Sequence, residues 1–274
     1  MLWQRVLTAL VLMPLVIAGI LFLETHWVAA LLAVVLLVGA REMACLGNIR
    51  TSIGRVGFVI VVAVVMLFAW LLIQAGYLVF LQVGMAIWWG GMTLLLVLRR
   101  AELRKIGDAR PAVLLIGALV LATAWASVVS LHAASPNGPW LVLLLFAIIW
   151  AADSGAYFAG RAFGQRKLSP FVSPGKTWAG VGGALGVVSI GLLGLSLGGW
   201  MDRASLLPLL LLGLLVTLVS IGGDLWESRL KREAGVKDSG SLLPGHGGML
   251  DRIDSLLAAA PVFGLGLGII GAAA

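Results

Sequence analysis

The chain reads as long apolar runs broken by short polar stretches. Nine runs stand out, over residues 6–23, 27–46, 56–74, 76–98, 111–131, 139–160, 178–200, 205–223 and 253–272. Apolar runs of roughly 18 or more residues are candidate membrane spans, because about 20 residues of helix cross a ~30 Å hydrocarbon core. Backbone polar groups in lipid must be satisfied within the segment, so runs of this length predict helices. The strict alternation expected of barrel strands is absent from the sequence. Arg5 followed by an apolar run resembles the start of a signal peptide. Yet Phe22-Leu23-Glu24-Thr25 is a poor small-residue cleavage site, so a retained first helix is expected. The predicted fold class is all-α: a polytopic helical membrane protein with about nine transmembrane helices. Residues 1–274 are expected to form a single integral membrane domain. Residues 1–110 would supply N-terminal transmembrane helices, and 111–274 a second transmembrane region with cytoplasmic loops 161–177 and 224–252.

Composition agrees with this pattern. Hydrophobic residues make up 61% of the chain and charged ones 11%, with mean hydropathy +1.08. Charge adds an orientation. With the N-terminus in the cytoplasm, 18 of the 19 Lys and Arg residues fall on the cytoplasmic side, all but Arg203. Positive residues favour that side, which predicts N-in, C-out topology in a bacterial inner membrane. The net charge of +7 is thereby accounted for as a topology signal, and nucleic acid is not an expected partner. Cys45 is the only cysteine, which excludes an internal disulfide and suggests a buried small hydrophobe. Trp27, Trp140, Trp178 and Trp200 lie near predicted segment ends, as interfacial aromatics do. Gly183 and Gly186, or Ala151, Gly155 and Ala159, are small residues at near-helical spacing and point to helix packing.

The polar breaks differ in character. Stretches 41–55 and 99–110 are basic, lack a carboxylate cluster and carry no strong functional signal. Residues 169–180, SPFVSPGKTWAG, contain Gly175-Lys176-Thr177, the end of a P-loop pattern. The pattern needs a glycine where Pro170 stands. Pro174 removes a backbone N–H from the cradle, and the stretch follows a membrane helix rather than a strand. A P-loop is therefore rejected. The start of the following helix could still face an anion.

Residues 222–255, GGDLWESRLKREAGVKDSGSLLPGHGGMLDRIDS, are the densest polar stretch. If the eighth helix continues, Glu227 and Ser228 share a face with Asp224, at i+3 and i+4. Asp251 and Asp254 are similarly paired at the start of the ninth. Converging carboxylates repel unless a cation joins them, and hard oxygen ligands suit Mg²⁺, which takes one or two carboxylates plus substrate phosphates. Gly247 and Gly248 allow close backbone approach. Lys231, Arg232, Lys237 and Arg252 supply charge for phosphate. These are the parts of a phosphoryl- or nucleotidyl-transfer site. His246 fits a backbone-orienting or phosphate-bonding role better than metal ligation, and Glu233 and Arg229 are expected to be solvated. Asp153 lies eight residues before Arg161, about 12 Å inside the sixth helix at 1.5 Å per residue. An acid at that depth is a functional candidate in a polar cavity open to the cytoplasm.

At these residues the sequence resembles the phosphatidate cytidylyltransferases, also called CDP-diacylglycerol synthases. Their signature is matched by Ser228-Arg229-Leu230-Lys231-Arg232, Lys237-Asp238, Pro244 to Gly248, and Asp251-Arg252-Ile253-Asp254. Asp153-Ser154-Gly155-Ala156-Tyr157-Phe158, Gly160-Arg161 and Lys167 to Trp178 resemble the family's other polar stretch. The likeness covers roughly 150–260, and the first 110 residues match only as hydrophobic spans. Ser154 stands where Thr is frequent. Ala179 stands where a polar residue is often seen, so it is assigned no role. The resemblance implies conversion of CTP and phosphatidic acid into CDP-diacylglycerol and pyrophosphate by a membrane homodimer. It also implies Mg²⁺, with K⁺ as a candidate companion. Asp224 and Asp251 would be the principal metal ligands, with Asp254 and Lys231 beside them. Asp153, Lys167, Ser173, Lys176 and Thr177 would contact substrate from one stretch. Ser228, Arg232, Lys237, Asp238, His246, Gly247, Gly248 and Arg252 would do so from the other.

Two other classes use similar parts. A transporter of anionic metabolites would bind near the midplane, often between repeated halves. Here ten of the twelve acids lie on the cytoplasmic half, all but Glu24 and Asp202, and no repeat is evident. A CTP-dependent lipid kinase would transfer the γ-phosphate to an alcohol and differs in its products.

Overall fold

The computed structural model describes residues 13–98, 110–200, 205–240 and 247–271. Helix α1 is described over Met13–Phe22, and the earlier part of the first predicted span lies outside the described residues. The other helices are α2 (Thr25–Leu46), α3 (Ser52–Gln74), α4 (Leu78–Leu98), α5 (Pro111–Ala133), α6 (Gly138–Phe163), α7 (Trp178–Leu197), α8 (Leu206–Glu233) and α9 (Leu250–Ile270). These eight are all long and apolar enough to cross a membrane. Strands β1 (Lys167–Ser169) and β2 (Ser173–Thr177) form an antiparallel hairpin between α6 and α7.

Helices α5 and α9 occupy the middle of the bundle. In them 67% and 61% of the most apolar stretch is buried, against 22% in α3 and α4, whose large side chains face outward. Their sequences explain the difference. Gly117, Ala118, Ala122, Ala124 and Ala126 on α5, and Ala258, Ala259 and Ala260 on α9, let neighbouring backbones approach. Pro261 sits buried inside α9, as membrane helices tolerate. Small residues also join α6 to α7. A Cβ on Gly155 would lie 2.6 Å from the Gly183 carbonyl oxygen, and one on Gly183 would overlap Ala159. Gly186 has open space around its Cβ position and takes no part. Trp88, Trp89 and Trp226 meet edge to face, with ring centroids 4.6–5.5 Å apart, and fix α4 against α8. Trp27, Trp140, Trp178 and Trp200 are all exposed near helix ends.

Three predicted features change. The eighth span was expected to stop at 223, but α8 runs ten residues further. Leu225, Trp226 and Leu230 are buried on one side of this extension. Asp224–Ser228 and Glu227–Lys231 bond along the other at i, i+4. The stretch 161–177, expected as a loop, is the end of α6 and the hairpin. Cys45 is half-buried rather than buried, with its thiol 3.4 Å from the Arg41 carbonyl.

Glu233 is a fourth correction. Its side chain is 1% exposed and takes Arg110 Nη1 at 2.5 Å and Arg229 Nε at 3.0 Å. The pairing ties the start of α5 to the end of α8. Arg110 N also donates to the Gly47 carbonyl at 3.2 Å, which brings in the end of α2. Glu233→Ala would leave two arginines facing each other. Both are 24% exposed, so we expect a loss of about 1–3 kcal/mol, less than the 3–5 of an enclosed pair. The purified protein in detergent should melt at a lower temperature; an unchanged melting point would show the staple to be dispensable.

Candidate active site

The ends of α2, α6 and α8 and the starts of α7 and α9 meet at one end of the bundle. Helices α8 and α9 touch at Gly223, where a Cβ would stand 2.5 Å from the Asp254 carbonyl oxygen. This close approach sets Asp224 and Asp254 near each other. The hairpin brings in Lys176, whose Nζ is 2.7 Å from Asp224 Oδ2 and 3.4 Å from the Ile221 carbonyl. Ser228 Oγ donates to Asp224 Oδ1 at 3.1 Å. Asp153, exposed on α6, is close enough to Lys176 and Asp224 for their charges to interact, and Asp254 interacts with Asp224, Glu227 and Lys176. Thr177 does a local job: it is buried and its Oγ1 caps α7 by accepting from Gly180 N at 3.1 Å.

A second lysine lies two turns beyond Asp224 on α8. Lys231 Nζ donates to Glu227 Oε2 at 2.7 Å and to Asp251 Oδ1. The other oxygen of Asp251 receives Gly248 N at 2.7 Å and both the N and Oγ of Ser239 at 2.9 Å. Gly247 enters this turn at φ +80°, where L side chains are strained, and a Cβ there would lie 2.6 Å from Asp251 Oδ2. Behind Asp251 stands a residue that the sequence reading passed over. Glu42, buried at the end of α2, accepts from Met249 N at 3.0 Å, Leu250 N at 2.7 Å and Ser239 Oγ at 2.9 Å. An acid inside the predicted span 27–46 was the signal that could have found it.

Other expected site residues lie around this pair of clusters. Lys167, Arg232, Lys237, Asp238 and Arg252 are exposed, and Ser173 is half-buried on β2 opposite Ser169. His246 lies outside the described residues. A cleft lined by Glu24, Trp70, Gln74, Trp125 and His132 lies at the other end of the bundle, away from all of these carboxylates and lysines.

Comparison with known proteins gives this constellation a chemical setting. The cytidylyltransferase family matches residues 3–269. The phosphatidate cytidylyltransferase of Pseudomonas aeruginosa is 43% identical over 263 residues, covering 96% of both chains. That of Haemophilus influenzae is 39% identical over 282 aligned positions, covering 96% of this chain and 97% of its own. That of Brucella suis is 52% identical over 130 residues, 46% of each chain.

The chain belongs to the cytidylyltransferase family.

A cytidylyltransferase must hold a nucleoside triphosphate, and the charge around these residues bears on how. Around Lys176 and Lys231 gather five carboxyl groups, those of Asp153, Asp224, Glu227, Asp251 and Asp254, so acids outnumber lysines in this set. Phosphates would be repelled unless cations enter with them. Glu227 Oε1 is buried and has no hydrogen-bond partner among the described residues. Such an oxygen calls for a positive or donating group. The donor set, all carboxylate oxygens, is hard and fits a divalent cation such as Mg²⁺. Among the described residues no three acidic, His or Cys side chains already converge as a ligand set. Asp224 and Asp254 sit on the Lys176 side, and Asp251 is engaged with Lys231 and the glycine turn. The geometry thus suits a cation shared between protein and substrate oxygens better than an all-protein cage.

The glycine turn gives a direct test. A Cβ on Gly248 would overlap Ser239 Oγ and lie 2.5 Å from Glu42 Oε2. Gly248→Ala is expected to cut cytidylyl transfer about 10- to 100-fold, the scale for misplacing reactive groups by an ångström. Gly186→Ala, with open space at its Cβ, should match the unaltered enzyme in the same turnover assay. Equal activity of the two variants would remove the turn from the site.

Proposed function

We propose that this enzyme is a phosphatidate cytidylyltransferase, forming CDP-diacylglycerol and pyrophosphate from CTP and phosphatidic acid. The observation that carries the reading is the carboxylate–lysine cluster at one end of a membrane bundle. There α8, α9 and the hairpin face one another with more carboxyl groups than lysines. Its support is the near full-length similarity to two enzymes bearing that name.

The lipid phosphate supplies its own nucleophile. A phosphomonoester has its second pKa at about 6, so it is largely dianionic at neutral pH. One of its oxygens bonds to the α-phosphorus of CTP while the bond from that phosphorus to the pyrophosphate oxygen breaks. No Ser, Cys or His nucleophile is needed. The protein's task is to bring two anions together in line. Asp224 and Asp251, with Asp254 beside them, would hold Mg²⁺, which neutralises phosphate charge at the reacting centre. Lys231, fixed between Glu227 and Asp251, presents its charge from a helix. Lys176 presents its own from the hairpin and can exchange Asp224 for a phosphate oxygen. Arg232, Lys237 and Arg252, exposed on the same end, would steer both substrates inward. The site would face the cytoplasm of a bacterial inner membrane, as the distribution of Lys and Arg supports. A homodimer belongs to the same reading.

Two measurements test it. Purified protein with phosphatidic acid should move label from the α position of CTP into lipid and leave γ label in pyrophosphate. Label from γ in the lipid would indicate a kinase instead. Asp251→Asn should lower turnover by at least about 100-fold while the protein still inserts and folds. Near-normal turnover of that variant with excess Mg²⁺ would sink the role given to Asp251.

A further inference from the structure

Glu42 stands outside both polar stretches that resemble the family signature, 182 residues before Asp224 in the sequence. Its surroundings are nevertheless built for a carboxylate. Among the described residues its side-chain partners are all donors: Met249 N on Oε1, and Leu250 N and Ser239 Oγ on Oε2. An amide in its place would set an NH₂ against a backbone N–H in either orientation. Two glycines make room for it. A Cβ on Gly240 would overlap Glu42 Oε1, and one on Gly248 would crowd Oε2. Two neighbouring stretches, 239–240 and 248–250, therefore close around one buried carboxylate that lies 197 to 208 residues before its hydrogen-bonding partners in the sequence.

Ser239 links this carboxylate to the site. Its Oγ is 2.9 Å from Glu42 Oε2 and 2.9 Å from Asp251 Oδ2, and it accepts from Asp251 N at 3.3 Å. A hydroxyl has one proton, so the two carboxylates compete for a single hydrogen bond. Whatever shifts Glu42 changes both the backbone at 249–250 and the donors on Asp251.

We infer that Glu42 is a positioning residue for cytidylyl transfer, which orients Asp251 through Ser239 and the first turn of α9. The inference rests on the reading that Asp251 works in that reaction. Glu42 is too buried to reach substrate, so its effect belongs in turnover and not in CTP binding.

The experiment compares Glu42→Gln, Ser239→Ala and the double variant in detergent, by α-labelled CTP kinetics and by melting temperature. Each single change should lower kcat about tenfold with the KM for CTP within about twofold, and the double should be scarcely worse than Glu42→Gln, because both act through one connection. Ser239→Ala should melt with the unaltered protein. It decides the matter if Glu42→Gln fails to fold, since wild-type kcat in Ser239→Ala overturns the inference. So do losses that multiply in the double variant, or a kcat deficit that merely tracks the folded fraction. Either result in a preparation whose unaltered enzyme transfers α label leaves the reaction itself standing. An unaltered enzyme that transfers no label overturns the reaction and the positioning role together.

Discussion

A carboxylate buried where a bilayer begins must be met by donors or by positive charge, and most of this end of the bundle follows from that requirement. Glu233 meets it with two arginines from different helices. Glu42 meets it with two backbone N–H groups and a hydroxyl. Asp251 meets it with Lys231 and a turn made tight by glycine. Asp224 has a lysine and a serine, one on each oxygen, and Glu227 keeps one oxygen without a partner among the described residues. The kind of partner thus separates the acids. Glu42 and Glu233, met by backbone N–H groups, a hydroxyl or arginines and by no lysine, hold helices together. Asp224, Glu227 and Asp251, which share Lys176 and Lys231, surround the place where substrate phosphates and their counter-cation would sit.

The two lysines of the site answer to different constraints. Lys231 is one turn from Glu227 on a helix whose inner face is buried, so its position follows from α8 itself. Lys176 arrives on a five-residue strand, and its position depends on the hairpin register, with Lys167 opposite Thr177, and on the Thr177 cap of α7. Leu168 and Val172 are buried and anchor the hairpin, while Pro174 and Gly175 leave its outer strand exposed. What resembled a nucleotide loop in sequence is a short arm that carries one cation to a carboxylate on another helix.

Much of this was legible in the chain because the bilayer imposes a simple rule. Spans of about 20 apolar residues announce themselves, and their predicted edges lie close to the observed ones wherever apolar residues end abruptly, as at Pro111 and Trp178. The rule fails where a helix leaves the apolar zone. Residues 224–233 look like loop by hydropathy, and only i, i+4 pairing shows that α8 continues. It fails again for contacts between distant parts of the sequence. Glu233 reads as a solvated charge until Arg110 is seen beside it, 123 residues away. Glu42 reads as an isolated acid until α9 is placed on it, 208 residues away. The nearness of Asp224 and Asp254 was legible because they lie within 31 residues of one another, at the end of one helix and the start of the next.

Helix α2 ends on the first turn of α9, Arg110 at the start of α5 reaches the end of α8, and Trp88 and Trp89 on α4 clasp Trp226 on α8. The front of the chain, which on sequence alone seems mere hydrophobic padding, therefore frames the chemistry of the back. The polar stretches cannot be excised as a portable module and grafted onto another set of membrane helices. The working unit is the whole bundle, and a change at Glu42 or Trp89 in its first hundred residues acts on groups far downstream.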